Sequence, residues 1–329
     1  MKSKKNPIIY IGGPGYSYEH FEPMIESVNT HFQEILSSLH FENQEGVRTN
    51  IDLSLDVFNP EKIRAYACPV DTKNGFYKIE MTAGLSYHIW LASRIFESSF
   101  NFFPWLKELK IIDKEKRKSG RRKLLADFSY YTCSYAIILH EISHIVLGHT
   151  DYLEEVTGYG ELHEFGESGS AISEDDFEIR HAFEAEADRQ SIEFLMVFLD
   201  EALGPDGLGR HIRFPNRLAV YEFLVYSLTS LSTLLQQLTG GARSVHPMPN
   251  ERQYIFHSSI TSYLQRTNLV SAEKISDRMP FWAMQAGEKL GLRDSSDALK
   301  AIEVAFSLSR VDDVLKNIDI KRFQHIARN

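Results

Sequence analysis

His140-Glu141-Ile142-Ser143-His144 is the segment whose residue types and spacing best suit chemistry. On a helix, side chains four positions apart share a face, so His140 and His144 can direct two imidazoles at one metal ion. Glu141 lies about a third of a turn away, within reach of a water on that ion, where a carboxylate acts as general base. A hydrolytic zinc site takes three protein ligands and leaves a fourth position to solvent or substrate. The sequence must therefore supply a third ligand elsewhere.

A third histidine in the arrangement H-E-x-x-H-x-x-G-x-x-H needs Gly at 147 and His at 150, but the chain holds Leu147 and Thr150. Gly148 and His149 are each displaced by one residue. His149 is five residues past His144, off the ligand face of a continuous helix, and reads as a helix-end histidine. The other source is a carboxylate from a later helix, and Phe183-Glu184-Ala185-Glu186-Ala187-Asp188 offers one. Glu184 and Asp188 are at i and i+4, so one can bind metal while the other orients a ligating imidazole through its second nitrogen. Glu186 points about 200° away around the helix and stays open as an alternative ligand. Ala185 and Ala187 leave room for two helices to approach closely.

The pattern of H-E-x-x-H followed by E-x-x-A-D resembles the gluzincin zinc metallopeptidases of the CaaX-prenyl-protease and HtpX type. His246-Pro247-Met248-Pro249-Asn250-Glu251-Arg252 is similar to that family's H-P-x-x-x-x-R. Arg64-Ala65-Tyr66-Ala67 and Met81-Thr82-Ala83-Gly84-Leu85 are similar to its N-A-F-A strand and T-x-G-L turn, with Arg64 in place of the asparagine. The run from His144 to His149 also resembles soluble bacterial zinc peptidases, the ImmA/IrrE regulators and the Lit-type phage-exclusion peptidases. The resemblance spans about residues 64–255. It implies Zn2+ held by His140, His144 and Glu184, with Glu141 as general base. It further implies His246 as oxyanion donor, Arg252 paired with Asp188, and a substrate-binding edge strand carrying Ile79, Met81 and Thr82. The function so implied is zinc-dependent endopeptidase cleavage of an intracellular protein or peptide substrate. A non-catalytic zinc-stabilised binding or regulatory module is the alternative.

The elements that must position these residues are mainly helical. Apolar spacing predicts helices over 19–41, 85–100, 124–149, 174–203, 216–238, 251–264 and most of 276–326. The helix over 124–149 carries the zinc motif. The next one begins near Ser173-Glu174-Asp175-Asp176, where serine caps and acids suit the positive end. Strands are expected at 8–11, 65–70 and 76–82, the last two joined by a hairpin through Asn74-Gly75. The fold class is α+β, mainly helical: a zincin-like core with a small antiparallel sheet and an H-E-x-x-H active-site helix. The expected organisation is an N-terminal segment 1–60, a peptidase core 61–260 and a helical extension 261–329.

Composition narrows the setting. The net charge of −9 over 329 residues disfavours nucleic-acid partners. Cys68 and Cys133 read as reduced thiols, which points to a cytoplasmic protein. Nine of the seventeen residues 107–123 are Lys or Arg and read as a solvated loop. Residues 151–186 hold twelve acidic residues against Arg180. The apolar stretch 218–235 includes Glu222 and reads as a buried or amphipathic helix, not a membrane span.

Overall fold

Alternating apolar residues at Ile51, Leu53 and Leu55, and again at Tyr77, Ile79 and Met81, build a small sheet against which the helices pack. The computed structural model describes residues 18–56, 63–97, 103–113, 120–158, 160, 162–163, 174–202, 212–239, 247, 249–268, 272–277, 281 and 310–327. The strand expected over 8–11 lies outside these. The elements run α1 (Tyr18–Ser38), β1 (Phe41–Glu42), β2 (Asn50–Asp56), β3 (Ala65–Asp71), β4 (Phe76–Thr82), α2 (Ala83–Glu97), β5 (Lys110–Ile111) and α3 (Gly120–Val146). They continue with α4 (His149–Thr157), β6 (Leu162–His163), α5 (Glu174–Ala202), β7 (Ile212–Arg213), α6 (Arg217–Thr239), α7 (Pro249–Thr267), α8 (Ala272–Ser276) and β8 (Ile326–Ala327). The fold is mostly helical with small sheets.

The main sheet has strand order β2-β4-β3-β6. β3 and β4 form the expected antiparallel hairpin, pairing Ala65 with Met81 and Ala67 with Ile79. Its turn differs in detail from an Asn-Gly turn with two left-handed residues. Thr72–Asn74 forms a single 3-10 turn capped by the Asp71 side chain, and only Gly75 takes positive φ, at 69°. A Cβ at Gly75 would sit 2.1 Å from the Arg48 carbonyl oxygen, so the turn needs glycine.

The sheet is mixed, not purely antiparallel as expected. β2 lies parallel to β4 along its whole length, from Asn50 beside Phe76 to Asp56 beside Thr82. The alternating 51, 53, 55 pattern is the sequence signal for this strand. Its apolar residues join α1's Phe21, Ile25, Val28 and Phe32 in one core with α3.

Two helices end earlier than their periodicity suggests. α1 stops at Ser38, and Phe41 turns into β1, which pairs with β8 through Phe41–Ala327 and Glu42–Ile326. Of the helix expected over most of 276–326, residues 310–317 are helical, residues 282–309 lie outside the described residues, and Ile326–Ala327 is a strand. The helix expected over 124–149 is also broken. α3 ends at Val146, Gly148 adopts φ 79°, and His149 begins α4 in a new direction. A Cβ at Gly148 would approach Phe323 to 2.5 Å, so both the backbone and the packing demand glycine.

α6 is long and apolar enough to cross a membrane, but 94% of its most apolar window is buried inside the protein. Its Glu222 is 1% exposed and accepts a 2.8 Å hydrogen bond from Trp105 Nε1, which satisfies the buried carboxylate. Neither Cys68 nor Cys133 forms a disulfide among the described residues. Burial pushes the Cys133 thiol up to about 12, which leaves it unreactive.

Candidate metal centre

α3 brings His140, Glu141 and His144 into the interior because nearly its whole circumference from Leu124 to Val146 is covered by other helices and the sheet. α5 packs against it with Ala182, Ala185 and Ala187 fully buried. These small side chains allow the close approach that carries Glu184 to the imidazoles. His140 Nε2 lies 3.0 Å from His144 Nε2 and 3.2 Å from Glu184 Oε2, and His144 Nε2 lies 3.6 Å from Glu184 Oε1.

One ligand atom from each of these three residues falls within 4.8 Å of the others. A tetrahedral zinc ion with bonds of about 2.0–2.1 Å spaces its donors roughly 3.3–3.4 Å apart. The observed spacings bracket that value, and two imidazoles plus a carboxylate are one donor set of catalytic zinc sites. The residues therefore fit such an ion.

Electrostatics point the same way. Glu141, Glu184 and Asp188 are each at most 2% exposed. Carboxyl groups withdrawn from water must be protonated or paired with positive charge. Arg252 supplies part of it, with Nε 2.7 Å from Asp188 Oδ2 and Nη2 3.9 Å from Glu184 Oε2. Burial acts to raise the Asp188 pKa, but Arg252 and His140 outweigh it and hold the carboxyl below its usual range. Asp188 Oδ1 in turn sits 2.9 Å from His140 Nδ1. Burial drives His144 down to about 3, against the pull of Glu184, so its imidazole is neutral and offers a lone pair.

The structure thus gathers His140, His144, Glu184, Asp188 and Arg252, with Glu141 buried next to His140 on α3. His246 lies outside the described residues, although Pro247 beside it is buried. The remaining expectation is overturned. The strand carrying Ile79, Met81 and Thr82 is not a free edge, because β4 is paired with β2 on one side and β3 on the other. Ile79 and Met81 are core residues, and Thr82 exchanges hydrogen bonds with the Arg64 backbone. A central strand has no unpaired backbone groups to hold a peptide.

Two residues at the centre take roles the sequence reading did not give them. His149 Nδ1 lies 3.0 Å from His144 Nδ1, and its Nε2 lies 3.0 Å from Glu186 Oε2. Glu186 thus partners an imidazole and is not part of the three-ligand group. The five-residue arithmetic that placed His149 off the face assumed a continuous helix. Gly148 was the available signal that the helix stops before it.

The sequence model of the Peptidase U49 family matches residues 78–272, which is more than half of the chain. The chain belongs to the peptidase U49 family. The matched region of this U49 peptidase runs from β4 to α8 and contains His140, Glu141, His144, Glu184, Asp188 and Arg252. Comparison with curated proteins and with solved structures finds no match for it.

Proposed function

We propose that this U49 peptidase is a zinc-dependent endopeptidase that cleaves peptide bonds of an intracellular protein substrate in the cytoplasm. The observation that carries the reading is the convergence of His140, His144 and Glu184 on a point that one ion could occupy, inside a region belonging to a peptidase family. Residues 61–260 form a zincin-like core in this reading, flanked by segments 1–60 and 261–329.

His140, His144 and Glu184 would hold the zinc, which when bound would supply Lewis acidity to a scissile carbonyl and acidity to a water. Glu141, adjacent to His140 on α3 and shielded from solvent, takes the water's proton and delivers it to the leaving amine. Asp188 fixes the His140 ring through Nδ1, and Arg252 fixes Asp188. His246, assigned from its H-P-x-x-x-x-R motif, donates to the developing oxyanion, an interaction of about 3 kcal/mol in a dry site.

The test compares wild type with Glu141→Gln expressed in a bacterial host. Elemental analysis of both purified proteins should find about one zinc per chain. New protein termini in the proteome should appear only with wild type. Equal sets of termini from both proteins would remove Glu141 from its role, and absence of bound metal would remove zinc from the mechanism.

A further inference from the structure

Each imidazole of the candidate centre has a partner on the nitrogen that faces away from the metal position, and the two partners differ in kind. His140 meets a carboxylate directly, at Asp188. His144 meets a second imidazole, and the carboxylate stands one step further out, in the line His144 Nδ1, His149 Nδ1, His149 Nε2, Glu186 Oε2, with both gaps at 3.0 Å.

Hydrogens can be placed on this line in one consistent way when His144 offers its Nε2 lone pair to a metal. His144 then carries its hydrogen on Nδ1 and donates it to His149 Nδ1. His149 must accept there, so its own hydrogen is on Nε2 and is donated to Glu186. A carboxylate accepts only, so Glu186 sets the direction of the whole line.

The line is held by packing as well as by hydrogen bonds. His149 is fully buried and stacks on Phe183, with ring centroids 4.2 Å apart and planes 9° from parallel. Phe183 belongs to a second apolar cluster with Leu153 and Ile320, separate from the main core. This cluster joins α4, α5 and the C-terminal region, so it locks the His149 ring. Glu186 keeps 23% of its side chain exposed. The imidazole spacer therefore lets a negative charge act on a ligand without burying a fourth carboxylate beside Glu141, Glu184 and Asp188.

We propose that His149 and Glu186 are positioning residues for His144, fixing its tautomer and ring orientation so that Nε2 is presented to the metal. The inference rests on the zinc reading above. Outer partners of metal-ligating histidines typically contribute 10–100-fold to metal affinity.

The experiment uses the full chain and zinc alone as probe, with affinity measured by competition against a chromophoric chelator. Glu186→Ala and His149→Phe should bind zinc about 10–100-fold more weakly than wild type. Glu186→Gln, whose amide oxygen can still accept from His149, should recover most of that loss. The thermal midpoint of metal-free Glu186→Ala should match that of metal-free wild type, separating positioning from a structural role. In the wild-type holoprotein, nitrogen-15 spectra should show His144 protonated at Nδ1 and His149 at Nε2. Wild-type zinc affinity in Glu186→Ala, a Glu186→Gln variant as weak as the alanine, or the opposite tautomers in the unsubstituted protein would each overturn the relay. Wild type that takes up no zinc would overturn the metal reading beneath it, a result read without any substitution and so distinct from failure of the relay.

Discussion

Arg252 and Asp188, 64 positions apart on α7 and α5, form a buried ion pair with Nε 2.7 Å from Oδ2. Both are under 5% exposed, and the same carboxylate reaches His140 from its other oxygen. The pair thus ties α7 to the back of the candidate metal centre and gives the downstream arginine a physical task.

Removal of one partner of a buried pair strands the other charge at a cost of about 3–5 kcal/mol. Arg252→Leu should lower chemical stability by that order and weaken zinc binding together. Arg252→Lys should rescue little, because a lysine cannot reproduce the guanidinium's planar fork. Urea denaturation and chelator competition on the two variants check this. A stable, zinc-replete Arg252→Leu protein would show the pair to be dispensable.

Glu141→Gln preserves side-chain volume while removing the proposed base. Peptidase turnover should fall about 10²–10⁴-fold with zinc content unchanged. Turnover and metal content measured on the same preparation decide the matter.

Acid should destabilise the metal-free protein in a defined window. Burial places His144 at about 3 when folded, whereas a free imidazole titrates near 6.5. Between those values the unfolded chain binds a proton that the folded chain refuses, so stability is fully present above pH 6.5 and falls as pH drops toward 3. Asp188, with its pKa also depressed, loses its contribution in the same direction at lower pH. Urea unfolding after metal removal should give a stability about 2 kcal/mol lower at pH 5 than at pH 7.5 from His144 alone. A stability that is flat or rises toward pH 5 contradicts this burial.

Zinc should stabilise the fold by mass action. At a free concentration one hundred times Kd the gain is about 2.7 kcal/mol. Chelator should therefore lower the melting temperature of wild type, and should lower that of His144→Ala much less. Equal shifts in both would place the bound metal elsewhere.

Gly148 gives a local test of the helix break. Gly148→Ala strains a left-handed residue by about 1–2 kcal/mol and forces Phe323 away. The variant should melt earlier and bind zinc more weakly, since the same break directs His149 toward His144. An unaltered melting temperature would mean that the turn relaxes at no cost.

The C-terminal contact behind this turn has no counterpart in any sequence motif. His325 donates its backbone N–H to the Val146 carbonyl at 2.8 Å, capping the end of α3. Its buried ring lies 2.6 Å from Thr49 Oγ1 and 3.2 Å from Asp151 Oδ2, and Tyr77 donates to the same Asp151 oxygen at 2.8 Å. Four residues from four distant segments meet there, and no linear spacing announces them.

Local rules were enough to pair His140 with His144, because helical geometry alone puts i and i+4 on one face. The same rule marked Glu184 and Asp188 as a co-facing pair, and apolar periodicity outlined α5 and α6 to within a residue or two. Tertiary packing decided everything that depends on two segments meeting. It brought Glu184 to the imidazoles through the buried alanines of α5, and laid β2 parallel to β4, which removed the expected peptide-binding edge. It also turned the chain at Gly148 so that His149 faces back toward His144. A sequence fixes directions within one helix or strand, since those follow from φ, ψ and a constant repeat. The angle at which two elements cross depends on side chains that fill the space between them, and that sum exists only in the folded chain.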